Sequence, residues 1–190
     1  SSDHLARHHT LEEHAAQKYR CIQNQGSTDI CIYNADDLLL TEFAAKSAAQ
    51  CHPFSLKDLN QASQIIKTQL NGPEFLGTHN KLNALVALKV AQQYGQNSKD
   101  SMARLRSFKQ LAHRLEYVGQ CQQRHVYNDS KATNPASTLV ACKAFKKKPY
   151  LILCGEDKQL HLDTFYLELQ TCVAHIFVFG QLKAPFQKLA

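Results

Sequence analysis

An α/β fold with a mainly parallel sheet is the class this sequence predicts, and three features carry it. Between Arg124 and Phe179 the chain alternates strand, helix, strand, helix, strand, with short apolar runs at Tyr150-Leu151-Ile152-Leu153-Cys154 and from Val173 to Phe179. That spacing is the pattern of parallel strands joined by crossover helices. From Leu82 to Tyr94 apolar residues recur at helical spacing and stop at Gly95, as at a helix C-cap. A hydrophobic share of 44% in 190 residues is enough for a real core in one or two domains.

Taken in order, Thr10-Leu11-Glu12-Glu13 is a capping box that predicts a helix from Leu11 to Cys21 with Lys18 near its end. Asp29 to Tyr33 reads as a buried strand closing in the turn Asn34-Ala35-Asp36-Asp37. From Leu38 to Leu76 the pattern is weaker and mixed, with helix character between Leu56 and Leu70 and no legible function. The helix after Gly77-Thr78-His79-Asn80-Lys81 is apolar around most of its circumference, which predicts a central position. Another helix is expected from Ser98 to Phe108, and His113 to Val118 leads into a strand and a polar hairpin. Beyond it, helices are expected from Pro135 to Phe145 and, capped by Asp163, to Thr171, with buried strands at Pro149 to Cys154 and Val173 to Phe179.

The richest stretch is Tyr127-Asn128-Asp129-Ser130-Lys131-Ala132-Thr133-Asn134-Pro135. A β-leaning segment precedes it, and Asn134 followed by Pro135 is a helix start. The free amides and dipole of a helix N-terminus favour negative charge, and Lys131 adds a full positive one. Asp129 can accept from a sugar hydroxyl or hold a metal's water. Two readings stay open at this point, an anion site and an ordinary strand–helix turn.

Composition narrows the class. The longest apolar runs are too short to span a bilayer, and the polar start Ser1-Ser2-Asp3-His4 has no signal-peptide core. The seven cysteines are odd in number, scattered and never in a CxxC pair, which predicts reduced, buried thiols in a cytoplasmic protein. The formal charge of +6 is spread along the chain apart from Lys146-Lys147-Lys148, without interleaved aromatic residues. An anionic small-molecule substrate accounts for it as well as a nucleic acid does, and the lysine triplet suits the solvated end of a helix.

Seven groups of residues in order then resemble one family: Asp3-His4-Leu5 with Arg7-His8; Lys18; Asn34-Ala35-Asp36-Asp37; Gly77-x-His79-Asn80-x-x-Asn83-Ala84; His113-Arg114-x-Glu116; Asn128-Asp129-Ser130-Lys131-Ala132-Thr133-Asn134; and Gly155-x-Asp157-Lys158. They resemble the Mur ligases, and the Asp-Ser-Lys-Ala-Thr-Asn run is the most specific. The resemblance implies the second half of a central ATP-binding domain over residues 1–110. A Rossmann-like C-terminal domain with a mainly parallel sheet would occupy 111–190. It further implies a monomeric cytoplasmic enzyme of peptidoglycan synthesis that uses ATP and magnesium. Such an enzyme makes an acyl phosphate on UDP-N-acetylmuramoyl-L-alanine, which the amine of D-glutamate attacks, with neither nucleic acid nor membrane as partner. The 190 residues hold no glycine-rich loop ending in Gly-Lys-Ser or Gly-Lys-Thr, so the resemblance is to about half of such an enzyme.

The resemblance implies a role for each of nine residues. His4 matches a magnesium ligand, and Lys18 a carbamylated lysine that helps hold the same metal, which wants oxygen ligands. Asn80 and Asn83 match asparagines at the adenine, where an amide both donates and accepts. Arg114 matches an arginine on the ATP phosphates and Asp129 an acid on the ribose or metal waters. Lys131, Thr133 and Lys158 match residues that bind the carboxylates of D-glutamate. Ala6, Gln110 and Cys154 depart from the pattern, standing where the family has Asp, Gly and Gly; Cys154 adjoins the substrate loop and would narrow it. The alternatives are another ligase of the superfamily, such as a folylpolyglutamate synthase, and a non-catalytic binding module.

Overall fold

The computed structural model describes residues 11–71, 75–156 and 162–189. They fall into two compact units, one of residues 11–71 and 79–108, the other of residues 75–78, 109–156 and 162–189. The predicted capping box and the stretches around His4 and Lys158 include residues outside the described set.

The first unit opens with α1 (Leu11–Tyr19), two residues shorter at its end than the capping pattern predicts. β1 (Ile30–Asn34) and β2 (Gln50–Phe54) pair in parallel, Cys31 opposite Cys51, with α2 (Leu38–Ala45) as the connection between them. Asp37 caps α2 by accepting from the N–H groups of Leu39 and Leu40. α3 (Leu56–Gln61) and α4 (Gln64–Gln69) divide what the sequence suggests as one helical region. α3 starts at Ser55, whose N–H and hydroxyl both donate to Asp58 Oδ2 at 2.8 and 2.9 Å.

α5 (Thr78–Gln93) runs longer than the predicted helix and stops at Gly95, whose φ of +68° places it in the left-handed region that favours glycine. It is not a central helix. Asn80, Ala84 and Leu85 are its buried residues, while Val90 and the following Tyr94 are exposed. α6 (Ser98–Arg106) comes next, capped by Asn97.

Lys89 of α5 donates to Asp58 Oδ1 at 2.9 Å and to the Pro53 carbonyl, tying three elements together. The Lys89 bond and those from Ser55 hold the Asp58 carboxyl below the usual carboxylate range. A depressed folded-state pKa stabilises above the unfolded value of about 3.9 and loses that contribution as pH falls through the folded one. Lys89→Met is therefore expected to lower stability by about 0.5–1 kcal/mol at pH 7, with the difference from wild type shrinking below about pH 4. Urea midpoints at pH 7 and pH 3 check it; an equal loss at both would remove the ion pair as the cause.

The second unit begins with a hairpin. β3 (Glu116–Cys121) and β4 (Arg124–Asn128) are antiparallel, joined by Gln122 and Gln123 at φ +45° and +65°. Two left-handed residues in a two-residue loop turn the chain straight back on itself. This corrects one expectation: β4 is a hairpin strand, and among the described residues only β5 (Tyr150–Gly155) and β6 (His175–Gly180) pair in parallel here. Side chains link β4 to later parts of the unit, with the Arg124 guanidinium 4.5 Å from the Tyr150 ring centroid and Tyr127 edge-on to Phe145.

α7 (Pro135–Lys143), α8 (Leu162–Cys172) and α9 (Lys183–Leu189) complete the unit. Asp163 lies inside the first turn of α8 rather than capping it. The core gathers Leu139, Cys142, Leu162, Phe165, Leu169, Val173 and Phe186 against Leu151, Leu153, Ile176 and Val178. Because strand side chains alternate, the other face of β5 and β6 carries Tyr150, Ile152, Phe177 and Phe179, all exposed. The two strands are thus buried on one face, not on both as their apolar runs suggest. The thiols also divide: Cys31 and Cys142 are buried, Cys51 and Cys172 half-buried, and Cys21, Cys121 and Cys154 exposed.

Candidate functional site

The start of α7 is built as the sequence predicts. Asn134 is extended, its Oδ1 accepts from Ser137 N–H at 2.8 Å, and Pro135 takes the first helical position. The cap uses the Ser137 amide and proline has none, so Ala136 supplies the first-turn N–H that this cap does not use. Attraction for an anion at this helix end therefore rests mainly on the charge of Lys131, whose side chain is exposed.

The loop carrying Lys131 is fastened to the loop carrying Arg114. Lys131 N–H donates to the His113 carbonyl at 3.0 Å, and Leu115 N–H donates to Asp129 Oδ1 at 2.9 Å. His113 N–H donates to Glu116 Oε2 at 2.8 Å, and the Asn128 amide nitrogen lies 2.8 Å from His113 Nδ1. Ser130 N–H donates to Asn128 Oδ1, and Ala132 N–H to the Asp129 carbonyl.

Arg114 sits between two non-glycine residues with positive φ, His113 at +65° and Leu115 at +46°. Each such conformation costs roughly 1–2 kcal/mol. Leu115 is buried, at 4% exposure, and full burial of a leucine contributes roughly 1.5–3 kcal/mol, enough to offset its own strain. The buried leucine and the hydrogen bonds around it thus hold Arg114, exposed itself, at the tip of a constrained loop.

Of the sequence-predicted residues, the second unit brings Arg114, Asp129, Lys131 and Thr133 onto these two loops. Asp129 has a part that the sequence does not predict: its carboxylate anchors the Arg114 loop through Leu115. In the first unit, Asn80 is buried and Asn83 exposed in the first turns of α5, and Lys18 is exposed in the last turn of α1. His4 and Lys158 lie outside the described residues. Among the described residues no three His, Cys, Asp or Glu side chains cluster as a metal site. His113, Glu116 and Asn128 belong to predicted motifs but carry no predicted role; their part in joining the loops is visible only in three dimensions.

Cys154, the departure nearest the substrate loop, is exposed near the end of β5. Its Sγ stands 3.5 Å from where a Cβ on Gly180 would lie. The thiol thus lies beside Gly180 at ordinary contact distance, at the carboxyl ends of both strands.

Comparison with known proteins adds to this geometry. Residues 1–91 match the Mur ligase middle domain. Over 99% of its length the chain is 32% identical to a UDP-N-acetylmuramoylalanine–D-glutamate ligase of Caldanaerobacter subterraneus subsp. tengcongensis, covering 44% of that protein. Similar relatives of the same name occur in Lachnospira eligens, at 30% identity over 96% of this chain and 44% of the relative. One in Latilactobacillus sakei subsp. sakei matches at 32% over 95% and 42%. The chain thus spans less than half the length of these curated relatives. The middle-domain match and relatives aligned along nearly all of the chain give the same answer as the ordered motifs: the chain belongs to the Mur ligase family.

Proposed function

We propose that this chain is part of an ATP-dependent amide-bond ligase that adds D-glutamate to UDP-N-acetylmuramoyl-L-alanine through an acyl phosphate, in the cytoplasmic stage of peptidoglycan synthesis. Residues 1–110 would belong to its central ATP-binding domain and 111–190 to its C-terminal domain. The observation that carries the reading is the fastening of the Arg114 loop to the Asp129–Lys131 loop at the start of α7. It joins a guanidinium suited to phosphate to an ammonium suited to a carboxylate beside a helix N-terminus. The names of the relatives support the same reading.

In this mechanism Lys131 and Thr133, with Lys158, orient D-glutamate by its carboxylates so that its amine faces the activated carbonyl. Arg114 draws the phosphate chain, and Asp129 keeps the Arg114 loop in place while its carboxylate borders the nucleotide side. Asn83, exposed on α5, and Asn80 behind it serve the adenine. Magnesium would be held by His4 and a carbamylated Lys18, and would supply positive charge against the phosphates. The exposure of Lys18 suits this, since carbon dioxide must reach its amine.

The test is ADP release by the full-length gene product with UDP-N-acetylmuramoyl-L-alanine present. Release that requires D-glutamate and is not restored by L-glutamate or L-lysine is expected. Release with a folate and L-glutamate instead would favour a folylpolyglutamate-type ligase, and binding without turnover a non-catalytic module. The isolated 190-residue chain is expected to hydrolyse ATP at no measurable rate, because it contains no glycine-rich Gly-Lys-Ser or Gly-Lys-Thr loop to hold the β and γ phosphates. Steady turnover by that chain would contradict this.

A further inference from the structure

His113 takes part in the clasp between the two loops with its N–H, its carbonyl and its ring. Its N–H donates to Glu116 Oε2, its carbonyl accepts from Lys131 N–H, and its Nδ1 meets the Asn128 amide nitrogen at 2.8 Å. The backbone of Lys131 is thereby tied to the residue that precedes Arg114.

The network also fixes where the histidine proton sits. Ser130 N–H donates to Asn128 Oδ1 at 3.1 Å, so that oxygen is committed and the amide cannot turn over to face the ring. The atom facing His113 is then Nδ2, a donor, and Nδ1 must be the acceptor. We propose that His113 is a positioning residue for Arg114 and Lys131, working as a neutral imidazole whose proton is on Nε2. It reaches the reaction through those two side chains and touches no reacting atom itself.

A charged ring breaks this arrangement. Protonation turns Nδ1 into a donor, which then opposes the Asn128 N–H. The carboxylate of Glu116, 3.9 Å from Nδ1, is the partner that gains. Asp129 and Lys131 on the facing loop and Arg114 on its own are the other charged groups around it.

Two experiments test this, and only the second rests on the proposed ligase reading. In the isotope-labelled 190-residue chain, imidazole nitrogen shifts assigned through His113→Asn should show Nε2 protonated and Nδ1 bare at neutral pH, and Asn128→Asp should abolish that preference. A proton on Nδ1 would overturn the proposal. In the full-length enzyme, His113→Ala should raise the KM for ATP and for D-glutamate about five- to tenfold with less change in kcat, the effect of losing one buttressing hydrogen bond. His113→Asn keeps an acceptor near the Nδ1 position and tolerates the left-handed backbone, so it should stay within about twofold of wild type. An alanine variant with unchanged KM values, or an asparagine variant as impaired as alanine, would overturn the positioning role. Absence of D-glutamate-dependent ADP release in the wild type would sink the ligase reading and leave the tautomer measurement to decide the clasp.

Discussion

Leu169→Ala should lower the stability of the second unit by about 3–5 kcal/mol, the range for emptying a tightly enclosed leucine site. Leu169 has 0% exposure and lies at the centre of the cluster formed by α7, α8, α9 and the buried face of β5 and β6. Its neighbours include Cys142, whose thiol is pushed up to about 12 chiefly by burial, with Cys172 and Asp129 adding to it. That group therefore stays neutral and packs as a small apolar side chain. Since most of a domain's net stability is only 5–15 kcal/mol, such a loss should appear as a large fall in the urea midpoint with little change in slope. Leu167→Ala on the same helix, where the side chain is 62% exposed, should cost less than about 1 kcal/mol. Similar midpoints for the two variants would mean that the core is not organised around Leu169.

That contrast also shows what the sequence could and could not reveal. Helix starts with a side-chain acceptor were legible, as at Asn134-Pro135, and so was the glycine stop at Gly95. α2 and β2 were not, although Asp37 before three leucines and the Ser55–Asp58 pair are capping signals of the same kind. Pro53 in the middle of β2 hid that strand, because proline removes a ladder donor and argues against a strand interior; here it is exposed and opposite Tyr33. The hairpin between β3 and β4 was legible, but its turn type was not. Gln122 and Gln123 take positive φ without the glycine or asparagine that usually signals it, and His113 and Leu115 do the same around Arg114. Half-burial of β5 and β6 was likewise unreadable, since an apolar run looks the same whether one face is covered or two. For the site, the expectations for Asp129 and Lys131 came from residue type beside a helix start, and that for Arg114 from the family resemblance. The bond from Leu115 to Asp129 depends on a fold that brings distant positions together, and no local pattern announces it.

Lys131→Ala, in the full-length enzyme, should raise the KM for D-glutamate about ten- to hundredfold and the KM for ATP much less. The expectation rests on how the loop is built. Its backbone is held by bonds that do not involve the lysine side chain: Lys131 N–H to the His113 carbonyl, Ala132 N–H to the Asp129 carbonyl, and Leu115 N–H to Asp129 Oδ1. Removing the side chain should therefore leave the Arg114 loop and the nucleotide side in place. What disappears is the positive charge beside an α7 N-terminus whose cap already occupies the Ser137 amide, which leaves the carboxylates to Thr133 and Lys158. Loss of one charge-assisted hydrogen bond is worth on the order of 1.5–3 kcal/mol, which is the ten- to hundredfold range. Lys131→Arg should recover part of the affinity, because it restores charge with a different reach and fork geometry. A variant weakened for ATP alone would assign Lys131 to the nucleotide. Equal losses for both substrates would give it a role in holding the site together, and the D-glutamate assignment would be withdrawn.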